Sequence, residues 1–333
     1  MFVKPLKIEK VLNQGLIYLE SQTWPDGMTK AYGYDRNADA AEYADLTTFT
    51  SGLTALMLLD IDEPNAKKLY VKTTHYLKSE ILRNKFWMWS AMNSHLRKII
   101  PIDVDSTSIN SEVLFKQGII LNNTKIIYNN RLTERLKGFY TWIIVRPRLL
   151  SNHWQDILAI FRHSFYQKAL WKSTTSRPHE TNDLVSANVY HYLILRNKNL
   201  IAEAETFLEQ FSGVSEMKCS YYINTFFRHF LVSRVLAHSN RDDLKQRFLP
   251  KAENLDILSD MELSCFILCH RNMGFQVDSD WLLALAERQN KDGSFNAHDS
   301  FCESNSMIWR SPGFNTALAL NALVTGTKYC ATT

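Results

Sequence analysis

Along most of the chain apolar residues recur every three or four positions, and few segments alternate with period two, so the pattern predicts helices almost throughout. Leu6, Val11, Leu12, Leu16 and Leu19 share one helical stripe, which ends at the Pro25-Asp26-Gly27 turn. A long polar loop follows. From Asp45 to Leu59 the chain is then apolar nearly all round and rich in small residues, the pattern of a helix buried on every side. The same alternation continues. The amphipathic, Lys-bearing segment Ala66 to Leu82 precedes a helix beginning near Asp105. His153 to Ala169 precedes Asp183 to Tyr190, and Ile201 to Phe211 precedes Tyr221 to Leu236. Asp242 to Asn254 precedes Leu258 to Cys269, and Ser279 to Gln289 precedes Asn315 to Leu323.

About six pairs result, each a charged amphipathic helix followed by a smaller, more apolar one, and fixed alternation of this kind marks a repeat architecture. Two of the inner segments, Phe49 to Leu56 and Phe314 to Leu320, even echo each other in sequence. An open solenoid would need polar capping repeats at its ends, and the pattern contains none. The expectation is therefore an all-α fold: an (α/α)6 toroid, a double ring of about twelve helices, spanning residues 1–333 as one domain. Within it, Lys116 to Leu150 has no register that the pattern fixes.

Composition adds exclusions. With 45% hydrophobic and 12% aromatic residues the chain can bury a large core. A net charge of +4 without a dense Lys/Arg block does not point to nucleic acid. No stretch approaches the roughly 20 apolar residues that span a bilayer, and the N-terminus has no signal-peptide apolar region. A cytoplasmic location is expected, with peripheral membrane contact left open. The five cysteines are odd in number and irregularly spaced, which does not suggest a disulfide framework. Cys265, Cys269 and His270 lie in an apolar run with no second pair at zinc-ligand spacing, so they read as core.

The stretch with most chemistry is Pro101-Ile102-Asp103-Val104-Asp105-Ser106-Thr107-Ser108. Alone, it reads as a helix cap, since Asp, Ser and Thr accept hydrogen bonds from the first free N–H groups of a helix. Near the C-terminus, Trp281 to Phe295 forms a helix ending in Gln289, then three residues, Gly293, one residue and Phe295. That segment resembles the QW motif of terpene cyclases, in which the Gln ties a helix end to the next turn, and Gln22 to Gly27 resembles a degenerate copy. Taken with the toroid and with Asp103-Val104-Asp105-Ser106-Thr107, the chain resembles the catalytic β-domain of class II terpene cyclases, within the squalene-hopene cyclase and prenyltransferase-like superfamily.

The resemblance implies proton-initiated cyclisation or isomerisation of an apolar, polyprenyl-type substrate. It implies that Asp105 is the general acid and Asp103 its helper, with Ser106 replacing a second acidic neighbour. Such an acid must reach the substrate protonated. Burial and a like-charged neighbour raise a carboxyl by up to about 3–5 pKa units. A helix N-terminus opposes this by roughly 0.3–1 kcal/mol. Carbocations also need aromatic faces. The expected substrate-lining residues are Trp87, Trp89, Phe49, Thr107, Asp183, Asn188, Tyr222, Phe226, Trp309 and Phe314; Trp142 and Tyr221 are further aromatic candidates.

Asn182 to Tyr190 nearly matches a class I metal motif, but Tyr190 stands where that motif has Glu and no Asp-rich partner exists. No metal or cofactor is expected. Class II cyclases normally pair this domain with a second helical one, and 333 residues do not hold both. Either the toroid's own cavity suffices, a partner domain or second copy supplies the other wall, or the chemistry differs. Two other readings remain at this level: a glycosidase or lyase using separated carboxylates such as Asp105 and Asp183, and a non-catalytic toroid that binds a lipid or a protein.

Overall fold

The computed structural model describes residues 5–36, 43–83, 85–94, 97, 100–132, 137–152, 154–164, 171–172, 176–302 and 307–330, without the side chains of 5, 6 and 162–164. Thirteen α-helices and four short strands lie among the described residues. Six helices form a closed inner ring: α2 (Thr48–Leu59), α4 (Val104–Lys116), α7 (Asp183–Arg196), α9 (Thr225–Leu236), α11 (Asp260–Met273) and α13 (Pro312–Cys330). Each packs on the next in that order, and α13 packs back on α2. The outer helices are α1 (Pro5–Ser21), α3 (Pro64–Ser79), α5 (Thr124–Asn129), α8 (Ile201–Leu208), α10 (Asp242–Phe248) and α12 (Ser279–Glu287). The double ring expected from the alternation is the fold.

Every inner helix begins on a polar cap. Thr47, Asp103, Asn182, Asn224, Ser259 and Ser311 each accept a hydrogen bond from a backbone N–H of the following turn, the shortest from Ser106 N to Asp103 Oδ1 at 2.5 Å. A buried helix end cannot hydrogen-bond to water, so each such cap replaces solvent and contributes on the order of 1 kcal/mol. The acidic motif is thus one of six equivalent capping positions. It differs from the rest in that the cap itself is a carboxylate, Asp103, followed by a second one, Asp105, in the first helical turn.

Small residues let the inner helices approach closely. A Cβ built on Gly52 of α2 would lie 2.0 Å from Asn110 Oδ1 and 3.0 Å from Ile109 Cγ2, both on α4. The turn after α12 is equally tight: Gly293 has φ +89°, and a Cβ there would lie 2.3 Å from Gln14 O. Gln289 reaches from that turn to the carbonyls of Val11 (2.8 Å) and Gly293 (3.0 Å), tying the end of α12 to α1.

Two features differ from the sequence expectation. The third outer helix is α5, which packs on α7. The expected element, His153 to Ala169, contains α6 (Trp154–Ser164), which packs on the 3₁₀ turn Pro147–Ser151 instead; His153, residues 165–169 and the Leu6 side chain lie outside the described residues. The fold also has an antiparallel sheet, β1 (Ala31–Asp35), β2 (Tyr43–Asp45), β3 (Asp299–Cys302) and β4 (Met307–Arg310), in the order β2-β1-β4-β3. It joins the polar loop after α1 to the segment before α13, through pairs such as Gly33 with Trp309. No helix among the described residues is long and apolar enough to cross a membrane.

Because Gly52 sets the α2–α4 spacing, Gly52→Ala is expected to lower stability by about 1–3 kcal/mol through overpacking. Urea unfolding followed by circular dichroism checks this; an unchanged midpoint would show that the helices can separate freely.

Candidate active site

At the end of the ring where the inner helices begin, a half-enclosed cavity of about 660 Å³, counting the space at its mouth, is lined largely by apolar and aromatic side chains. Phe49 comes from the first turn of α2, and Asp103 and Asp105 from the start of α4. Val185 comes from the first turn of α7, Tyr221 and Tyr222 from the segment before α9, and Phe301, Cys302 and Trp309 from the sheet. Ile100, Trp89, Thr141 and Trp142 complete the lining. The sheet and these connecting segments supply, from within this chain, the wall opposite the ring.

The rings interlock. Phe49 stacks on Trp89 at 5.0 Å, while Phe301 meets Phe49 (5.5 Å), Trp89 (5.9 Å) and Tyr222 (5.9 Å). Trp309 meets Trp89 at 6.1 Å. Pairs of this kind add roughly 0.5–1.5 kcal/mol beyond burial, which fixes the shape of the cavity.

Asp105 is buried, and both of its oxygens accept hydrogen bonds. Asn188 Nδ2 donates to Oδ1 at 2.9 Å, and the Tyr222 hydroxyl donates to Oδ2. Burial raises its pKa; the bonds from Tyr222 and Asn188 and the charge of Arg234 pull the other way, leaving it at about 6. Asp103 caps α4 through Oδ1, and its buried carboxyl also lies against the Trp89 backbone. Burial again dominates its shift, opposed by the cap and reinforced by the charge of Asp105, and takes it to about 7. Both carboxyls therefore keep their protons to higher pH than free aspartates do, inside an apolar cavity.

Of the residues singled out in the sequence, Asp103, Asp105, Phe49, Trp89, Tyr222 and Trp309 line the cavity, as do Trp142 and Tyr221. Asn188 sits behind Asp105 as its hydrogen-bond donor. The remaining five do not line it. Trp87 is fully buried on the far side of its segment, donating to Leu77 O at 2.9 Å, because the chain bends at Trp89 and the two indoles part. Thr107 is a tether instead: its hydroxyl donates to Asp103 O (2.7 Å) and accepts from Trp87 N (3.2 Å). Asp183 accepts from Lys218 N at 2.6 Å and fixes a loop. Phe226 packs on Phe266 of α11, 6.4 Å away. Phe314 lies beneath the lining, against Phe301 and Phe227.

Sequence reasoning missed Phe301, which sits in a four-residue strand too short to show a period. It also missed Arg234, Glu112 and His191, buried together behind Asn188. A charged or imidazole side chain in the middle of a helix predicted to be buried was their available signal.

The geometry invites comparison with solved structures. Type II terpene cyclase MstE from Scytonema superposes with a TM-score of 0.66 at 12% identity, over 97% of this chain and 99% of that one. This chain has a class II terpene cyclase-like fold. A variant of MstE in complex with geranylgeranyl dihydroxybenzoate, its substrate, gives 0.65 at 12% identity over 97% and 98%. A protein from Actinoplanes gives 0.66 at 12% identity over 97% and 99%. No protein-family model and no curated protein sequence matches the chain.

The raised carboxyls leave a signature in stability. The folded state holds the Asp105 proton more tightly than the unfolded chain does, so Asp105 costs stability as pH rises from about 4 through about 6. His191, which burial lowers to about 4, acts oppositely between about 4 and its ordinary value, so only a difference measurement isolates Asp105. Asp105→Asn is expected to gain about 2–3 kcal/mol relative to wild type between pH 4 and pH 8. Chemical denaturation at the two pH values checks this, and a pH-independent difference would place the Asp105 carboxyl in water.

Proposed function

We propose that this chain is a terpene cyclase-like enzyme that protonates an apolar polyprenyl-type substrate and lets it cyclise or isomerise, with Asp105 as general acid. One observation carries the reading: a buried carboxyl with a pKa near neutral faces a cavity walled by interlocked aromatic rings. In the step envisaged, the Asp105 O–H bond breaks and its proton adds to a terminal alkene carbon. The resulting carbocation is attacked by the next double bond, a final C–H proton passes to water at the cavity mouth, and Asp105 takes back a proton from solvent. Hydrogen bonds from Tyr222 and Asn188 take up the charge left on Asp105. Phe49, Trp89, Phe301 and Trp309 offer ring faces to the cation, each worth about 0.5–2 kcal/mol where water is excluded.

Asp103 acts as the helper. Its closeness in charge to Asp105 raises the cost of ionising both, which keeps a proton on the pair. The apolar lining and the commitment of Asp183 to Lys218 N favour this reading over a glycosidase with paired carboxylates, which would need a polar cleft. No metal or cofactor enters the scheme.

The test is turnover with a panel of polyprenyl substrates that includes geranylgeranyl dihydroxybenzoate, the substrate of the similar MstE enzyme. Asp105→Asn is expected to lower kcat by at least about 10²–10⁴, the usual contribution of a general acid, while its circular dichroism stays that of wild type. The rate in the wild type is expected to fall as pH rises through about 6, where the acid form is lost. Retained turnover in the variant would remove Asp105 from the role.

A further inference from the structure

Behind Asp105, three inner helices converge on a buried polar column of which the cyclisation scheme uses only Asp105 and Asn188. Asp105 and Glu112 lie seven residues apart on one face of α4, Asn188 and His191 three apart on α7, and Arg234 projects from α9. All five side chains are buried. Arg234 Nη2 bonds Glu112 Oε2 at 2.5 Å, and Arg234 Nη1 donates to Asn188 Oδ1 at 3.1 Å. His191 Nδ1 lies 2.9 Å from Glu112 Oε2 and 3.1 Å from Arg234 Nη2. On its other edge the Asn188 carboxamide donates to Asp105 Oδ1 (2.9 Å) and to the Tyr222 hydroxyl (3.1 Å).

We propose that Arg234, pinned by Glu112, is a positioning residue that sets the acid strength of Asp105 by holding the Asn188 carboxamide with its NH₂ group toward that carboxyl.

A carboxamide has a donor edge and an acceptor edge, and in a buried site it can turn over to suit its neighbours. A guanidinium has donors only, in a rigid fork. With one arm of that fork on Glu112, the other can meet only the amide oxygen, and the NH₂ group must then face Asp105. That orientation favours the carboxylate and makes Asp105 the stronger acid. The reversed amide would set a carbonyl against the carboxylate and favour the protonated form.

The ion pair also limits the alternative, a plain effect of charge. Burial pushes the Glu112 carboxyl up, but Arg234 and His191 outweigh it and hold it at about 2, while burial keeps His191 neutral near pH 7. Glu112 therefore offsets part of the charge that Arg234 directs at Asp105. The other groups facing Asp105 are Asp103 from its own helix cap and Tyr222 from the segment before α9, with His238, in the turn just after α9, beyond His191 at 5.3 Å; α2 and the sheet present the rings of Phe49 and Phe301.

The proposal rests on Asp105 as the acid, and its test needs no substrate, so it stands or falls separately from turnover. The protonated-carboxyl infrared band that Asp105→Asn removes is titrated in the full-length protein. In Glu112→Gln/Arg234→Met, which deletes the ion pair without changing net charge, the midpoint should rise by about one pH unit or more, a tenfold weaker acid. Asn188→Leu should raise it comparably, and adding the pair deletion to Asn188→Leu should raise it no further. Arg234→Lys keeps the charge and Glu112's partner but lacks the fork. It should also raise the midpoint, and it remains readable if the double variant does not fold. A wild-type midpoint in the pair deletion or in Arg234→Lys, or a full further rise in the Asn188→Leu background, overturns the proposal.

Discussion

Taking the Asp105 carboxyl out of water is the constraint around which the molecule is arranged. An ionised carboxylate in an apolar interior is costly, so a buried carboxyl either keeps its proton or is surrounded by donors. Here the two tendencies nearly balance: burial pushes the group up, while Tyr222, Asn188 and Arg234 draw it back to about 6. A fully desolvated carboxyl without donors would hold its proton too tightly to give it away. A solvated one would have lost it already. The site sits between these limits because α4, α7 and the segment before α9 meet at one point.

That meeting point is a product of the ring. Six inner helices begin at the same end, so their caps and first turns are brought together there, and the same end receives the sheet. Gly52 allows α2 to press against Ile109 and Asn110 of α4, which sets how near Phe49 comes to the acid. The sheet draws strands from both ends of the sequence and places Phe301 and Trp309 over the cavity. Fold and chemistry are coupled through spacing: helix separation fixes the aromatic walls, and the walls keep the acid dry.

Much of this was legible in the sequence. Inner helices betrayed themselves as the smaller, more apolar member of each pair, and Asp103 and Asp105 by two carboxylates at the head of one of them. Other features were hidden for physical reasons. The third outer helix, Thr124–Asn129, is six residues long and carries too few turns to show a stripe. The strands are three to five residues long, below the length at which alternation can be read. Trp87 and Trp89 looked equivalent because they are two apart, and only the bend at Trp89 separates a cavity-lining indole from one packed against Leu114 and Leu121. Glu112, His191 and Arg234 lie far apart in sequence, and only the ring brings them together.

The central claim is that a proton passes from Asp105 to a carbon of the substrate. Turnover of geranylgeranyl dihydroxybenzoate or a related polyprenyl substrate in deuterated water, followed by mass spectrometry and NMR of the product, tests this most directly. The account predicts a cyclised or isomerised product carrying one carbon-bound deuterium at the site of initiation, with no such product from Asp105→Asn. A product without that deuterium, or the same deuterated product from Asp105→Asn, would contradict it.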